Sequence, residues 1–127
     1  MSALALGEQA NAAKFSREEM ASIEALRGAS RAFHPVVHQQ RPYVGARAVA
    51  ANLRRLMAGS TLIDSMPEKV QDAYSLRCTP QVLGSCRDLL AFCCQQVNVE
   101  LNAATDNPLI LLNAGASPEG FAHDPDN

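Results

Sequence analysis

The sequence predicts an all-α chain, and three observations carry that expectation. Apolar residues make up 47% of the 127 residues but aromatics only 5%, with no Trp, so a core has to be built from Ala, Leu and Val. Interiors of that composition favour helix packing over sheet packing. From Pro80 to about Ala104, apolar residues recur at helical spacing through Val82, Leu83, Cys86, Leu89, Leu90, Cys93, Cys94, Val97 and Leu101. A second stretch, opening at Gly45-Ala46-Arg47, puts Val49, Leu53, Leu56 and Met57 on one side, which Arg47, Arg54 and Arg55 mostly avoid.

The elements follow in order. Residues 1–15 are Ala-rich without a cap and read as the tail of a helix whose beginning is missing. Ser16 and Glu19 form a capping box for a helix running to about Leu26 or Arg27, with Gly28 as its left-handed stop. Met20, Ile23, Ala25 and Leu26 give that helix a modest apolar face. Pro35 and Pro42 interrupt regular structure, and Arg41-Pro42-Tyr43 reads as an extended connection. Gly59 should end the Gly45 helix, where Arg54 and Arg55 complement its dipole. Thr61 to Lys69 is expected to be a loop. Thr79 as N-cap and Pro80 at the first helical position start the long helix. It should span roughly 36 Å at 1.5 Å per residue. Its apolar residues wrap well over half of its circumference, more than the short remaining helices can cover. Thr105-Asp106-Asn107-Pro108 reads as a stop, Leu109 to Leu112 as a short extended run, and 113–127 as a disordered tail.

Composition narrows the function. A net charge of −2 without a basic patch argues against binding nucleic acid by phosphate neutralisation. No apolar run has the length of a membrane span, and the N-terminus lacks the pattern of a signal peptide, so the expected location is the cytoplasm. Cys78, Cys86, Cys93 and Cys94 contain no C-x-x-C pair and are expected to be small buried hydrophobes. His34 and His38 are four apart, but Pro35 lies between them and no third ligand follows, so no metal site is expected.

The chemistry concentrates in Val70-Gln71-Asp72-Ala73-Tyr74-Ser75-Leu76-Arg77-Cys78-Thr79-Pro80-Gln81. Gln71, Tyr74 and Arg77 recur every third position, so on a tight helix they stack in one column beside a stripe of Val70, Ala73 and Leu76. A guanidinium beside a phenol suits an amino- or keto-acid, because the planar fork takes a carboxylate bidentately and the phenol can move a proton nearby. The plainer alternative is a buried Tyr with a structural Arg.

The run from Lys69 to Gly84, KVQDAYSLRCTPQVLG, followed by VELNAATDNPLI from Val99 to Ile110, resembles the aromatic amino acid ammonia-lyase family, which includes histidine, tyrosine and phenylalanine ammonia-lyases and related aminomutases. The run from Arg41 to Ser60 is similar to a further stretch of that family. The family subunit is several times longer, so the resemblance implies that residues 1–127 are a single partial domain, an internal piece of the fumarase/aspartase-like central helical bundle. It further implies a homotetramer acting on a small amino acid. The family electrophile is a 4-methylidene-imidazol-5-one ring, made autocatalytically from Ala-Ser-Gly, that lets ammonia leave as a β-proton is removed. By match to the motif, Arg77 clamps the substrate carboxylate, Tyr74 lies at the reacting centre and Gln71 hydrogen-bonds close by.

Departures from the family pattern qualify the resemblance. Ala-Ser-Gly does not occur, since Ala29-Ser30 is followed by Arg31 and Ala116-Ser117 by Pro118, so the ring is not expected to form in this chain. The family's Tyr-Gly loop is also absent. Tyr43-Val44-Gly45-Ala46 stands where the family has His-Pro-Gly-Gln, and Glu119 to Pro125 only loosely matches the segment that lines the family site. The favoured reading is a histidine ammonia-lyase piece, inactive alone, that forms urocanate when completed. The alternatives are a tyrosine or phenylalanine ammonia-lyase piece, a tyrosine 2,3-aminomutase piece, or a non-catalytic helical oligomerisation module.

Overall fold

In the computed structural model the described residues run from 17 to 105, and every regular element among them is helical. Helix α1 covers residues 17–25. A 3₁₀ turn, Ser30–Phe33, leads into α2, Pro35–Gln39, and then α3, Val44–Met57. A loop follows to the single turn α4, Tyr74–Arg77, which runs into α5, Thr79–Glu100. The Ser16 half of the capping box, the turn beyond Thr105, the extended run and the tail lie outside the described residues.

The ends of α1 and α5 depart from expectation in instructive ways. Helix α1 closes with the Gly28 amide donating to the Ile23 carbonyl at 2.8 Å and the Arg27 amide to that of Glu24 at 3.0 Å. That double bond pattern puts the left-handed residue one position earlier than glycine, at Arg27, whose φ is 50°. Gly28 is required for a different reason: a Cβ there would run into the side chain of Ile23. Only Met20 and Ile23 of the α1 face are buried, whereas Ala25 and Leu26 are exposed. At α5, the Thr79 hydroxyl donates back to the Ser75 carbonyl at 3.2 Å instead of capping its own helix. The residue before the helix is Cys78, and Pro80 sits in the first turn. The helix stops at Glu100, a few residues short of the expected end near Ala103 or Ala104. Pro35 begins α2 rather than breaking structure, with the His34 Nδ1 accepting from the Val36 amide at 3.3 Å.

Helices α3 and α5 form the main packing pair. Their backbones meet at Gly45 and Gly84: a Cβ on either would overlap the backbone of the other helix. The Gly45 amide, one of the donors left over at a helix start, is taken by Asp88 Oδ1 of α5 at 2.8 Å. The core lies on one side of this pair and joins Met20, Ile23, Phe33, Val49, Leu53, Met57 and Leu76. Phe33, Ile23 and Leu53 are fully buried at its centre. Leu56, expected on the inner face of α3, is 40% exposed, because the buried side of the helix runs through Ala46, Val49, Ala50, Leu53 and Met57. As expected, α3 ends at Gly59, whose φ of 87° only glycine adopts without strain.

Past its first turns, α5 leaves the core. Leu89, Phe92, Val97, Val99 and Leu101 are all more than 40% exposed. The cysteines share this exposure, and here the sequence expectation fails: Cys86 and Cys93 are exposed and Cys78 and Cys94 half-buried, with no disulfide among them. They lie on or next to faces of α5 that the described residues leave open.

Candidate functional site

The site begins with a clasp that holds the chain ahead of α4. Asp72 is buried, its side chain 1% exposed. Its Oδ2 accepts from the Ala29 amide at 2.6 Å, and its Oδ1 faces the Lys69 ammonium at 2.5 Å. Lys69 also donates to the Leu26 carbonyl at 3.1 Å and that of Arg27 at 3.4 Å, so a cation sits on the C-terminal end of α1, where the helix dipole favours it. Arg31 closes the clasp by donating to the carbonyls of Lys69, at 2.6 Å, and Val70. Burial pushes the Asp72 carboxyl up, but the Ala29 amide, Lys69 and Arg31 outweigh it and hold the group below the usual carboxylate range.

The clasp decides how much of the expected column forms. Gln71 is exposed and lies before α4, outside any helix. The three-residue column therefore reduces to Tyr74 and Arg77, which share the one turn of α4. The helix does not extend back through Asp72: Ala73, the residue before α4, has an extended ψ of 148°, and the carbonyls of Lys69 and Val70 are engaged by Arg31. Within α4 the Arg77 guanidinium lies over the Tyr74 ring, 5.1 Å from its centroid, a cation–π arrangement. Tyr74 is 68% exposed, whereas Leu76 on the opposite side enters the core. Among the described residues the buried Arg77 Nε has no hydrogen-bond partner. A buried N–H of a permanent cation costs free energy until an acceptor reaches it. Hydrogen bonding to Cys78 and the charge of its sulfur push the Tyr74 phenol above its ordinary value, with Arg77 and Arg41 opposing.

A cleft of about 250 Å³ opens beside this turn, between α2, the start of α3 and the first turns of α5. Arg41, Tyr43, His38, Gln81 and Asp88 line it, whereas Gln71, Tyr74 and Arg77 do not. Two of its polar groups are already engaged: Asp88 by Gly45, and His38, whose Nε2 meets the Ala32 carbonyl at 3.1 Å. The geometry of Arg77 and Tyr74 is therefore the better candidate. The two histidines of the 34–38 pair serve local structure in the described chain. Among the described residues no three His, Cys, Asp or Glu side chains come together as a metal site would need.

Sequence reasoning missed Asp72 and Asp88. Each is one acidic residue without a periodic pattern, and its partner is a backbone amide 43 residues away in both cases. It also assigned Arg54 to the α3 dipole, whereas Arg54 Nη1 donates to the Phe33 carbonyl at 2.6 Å.

Ala29-Ser30 also bears on the chemistry. The Ala29 amide is held by Asp72 and the Ser30 amide by Asp64 Oδ1 at 2.9 Å, in a turn that enters the 3₁₀ helix. With Arg31 in third place, this Ala-Ser pair is a structural turn and does not fit a cyclising Ala-Ser-Gly.

Comparison with known proteins agrees with this picture. A family model described as aromatic amino acid lyase matches residues 1–124. The histidine ammonia-lyase of Alkaliphilus metalliredigens is 50% identical over 90 residues, covering 70% of this chain and 18% of that protein. That of Paracidovorax citrulli is 40% identical over 114 residues, 81% of this chain and 22% of that protein. A probable histidine ammonia-lyase of Thermoplasma volcanium is 47% identical over 94 residues, 73% of this chain and 19% of that protein. The chain thus spans about a fifth of the length of these relatives. A helical chain and a family match over nearly all of its length converge: the chain belongs to the aromatic amino acid lyase family.

Proposed function

We propose that this chain is the substrate-carboxylate segment of a histidine ammonia-lyase, which converts L-histidine to urocanate and ammonia when the rest of the enzyme is present. The observation that carries the reading is Arg77: a guanidinium stacked on Tyr74, with a buried Nε that lacks an acceptor among the described residues. A carboxylate docking on its fork would supply that acceptor, and the adjacent phenol would then lie beside the amino acid's α- and β-carbons. Arg77 binds and orients the acid, Tyr74 stands at the reacting centre and Gln71 hydrogen-bonds nearby. Histidine is favoured over tyrosine or phenylalanine because the relatives above carry that name.

The family's 4-methylidene-imidazol-5-one ring would supply the electrophile. Because no Ala-Ser-Gly occurs in the 127 residues, the ring belongs to another chain or segment, and no step here runs through it. We further infer a cytoplasmic homotetramer, or assembly with a companion subunit, supported by the apolar surface that α5 exposes. The same surface suits the second reading, a helical interaction module without chemistry.

An assay of urocanate absorbance separates the two, run on the chain alone and mixed with a subunit that contains Ala-Ser-Gly. The mixture should be active and the chain alone inactive. Arg77→Ala should lower turnover in the mixture by about a hundredfold, or ~2.7 kcal/mol of transition-state stabilisation, and raise KM as well. His34→Ala should leave both unchanged. An Arg77→Ala mixture as active as the parent would rule out the clamp.

A further inference from the structure

We propose that the cleft between α2, the start of α3 and the first turns of α5 is a second binding site, for a small zwitterionic α-amino acid whose carboxylate meets Arg41 and whose ammonium meets Asp88. The cleft holds about 250 Å³, below the roughly 300–1,000 Å³ of ordinary ligand pockets, so it suits a molecule of few heavy atoms. Arg41 and Asp88 bring opposite charges to its walls. Among the described residues they form no ion pair with each other or with a third group. Opposite charges that share one cleft without touching leave a gap that a molecule carrying both signs can bridge. The inference does not use the reading of Arg77, since neither Arg77 nor Tyr74 lines this cleft.

Both charges are attached to fixed backbone. The Tyr43 amide donates to the Arg41 carbonyl at 2.8 Å across Pro42, a tight turn in which the proline ring holds one dihedral. The Arg41 guanidinium lies over the Tyr43 ring, 5.9 Å from its centroid, which leaves its N–H edge to an incoming acceptor. On the opposite wall, Asp88 gives Oδ1 to the Gly45 amide at 2.8 Å and keeps Oδ2. The contact of Gly45 with Gly84 sets the distance between the two walls. Charges placed in advance lower the ordering cost of binding. His38, 5% exposed, adds an acceptor: its Nε2 donates to the Ala32 carbonyl at 3.1 Å, and burial disfavours a second proton on the ring. Nδ1 is therefore bare and can accept from an ammonium. Val37 and the buried Ala46 supply apolar wall for a short side chain. A simple carboxylic acid would leave Asp88 unanswered, and a simple amine would leave Arg41 so.

The test titrates the full chain with L-alanine, which carries both charges, and with acetate and ethylamine, which carry one each. NMR follows the Gly45 amide and the Tyr43 ring. Both signals should shift saturably with L-alanine at a Kd of about 1 mM or tighter, and about tenfold more weakly with acetate or ethylamine. Arg41→Gln and Asp88→Asn, the latter keeping an acceptor for Gly45, should each weaken L-alanine binding about tenfold. Should Asp88→Asn not fold, Arg41→Gln decides, because Arg41 is exposed. Arg77→Ala should leave the titration unchanged. Without a saturable shift, or with unaltered affinity in folded Arg41→Gln, the cleft is no such site, and the carboxylate reading of Arg77 stands untouched. Acetate or ethylamine binding as tightly as L-alanine would overturn the inference too, since one of the two charges would then have no part. Loss of binding in Arg77→Ala would place the amino acid at the α4 turn instead of the cleft and overturn it as well.

Discussion

Two buried titratable side chains make the fold sensitive to acid, each through a stated partner. Asp72 is held below its ordinary range in the folded chain despite its burial, because the Ala29 amide and Lys69 favour the carboxylate. A depressed folded value means that the unfolded chain binds the proton more readily, so this stabilisation is full above the usual Asp value of about 4 and is lost as pH falls from there through the lower folded value. His38 has its value lowered by burial, with the Ala32 carbonyl opposing and Arg54 adding to the effect. Its neutral form is the folded one, so its contribution is complete above a pH of about 6.5 and fades below that. Thermal melts of the chain should therefore fall in two stages on acidification. His38→Gln should flatten the first and Asp72→Asn the second. A melting temperature independent of pH between these ranges and acid would show that neither group is charged as described.

At the scale of elements, the crossing of α3 and α5 sets the frame on which the site turn is mounted. Gly84 and Gly45 let the two backbones touch, and Asp88 fastens the start of α3 at the same point. Gly84→Ala should push the helices apart and cost about 1–3 kcal/mol, the usual penalty for overpacking a close contact. Ser85→Ala, one position along on an exposed part of the helix, should cost little. Denaturant melts of the two variants check this, and equal stability would mean that the crossing is looser than described. The α1 terminus shows how far local rules reach. The sequence placed the helix end correctly from Gly28, but the left-handed residue is Arg27. Local propensity favours glycine there, whereas the contact with Ile23 needs a glycine one position later.

At the scale of the whole molecule, α5 is anchored at its N-terminal end and left exposed over much of its length by the described residues. Exposed Leu89, Phe92, Val97 and Val99 amount to an apolar surface that an isolated chain has reason to hide from water. The proposed assembly predicts that the chain self-associates in size-exclusion chromatography. Leu89→Lys together with Phe92→Lys should shift it towards the monomer while the α-helical circular dichroism is retained. Unchanged elution would remove the support that this surface gives to oligomerisation.

The amino-acid sequence by itself determined the all-α class, the two main helices, the stop at Gly59 and the identity of the Arg–Tyr pair. Each of these is written in spacing, or in the special backbone of one residue, within a few positions along the chain. Only the tertiary structure decided that Gln71 leaves the column, that Thr79 bonds backwards, that Cys86 and Cys93 stay exposed, and that Asp72 and Asp88 anchor segments 43 residues away. The reason is physical: a hydrogen bond between distant segments depends on which backbone groups remain unpaired once helices have formed, and that inventory exists only in three dimensions.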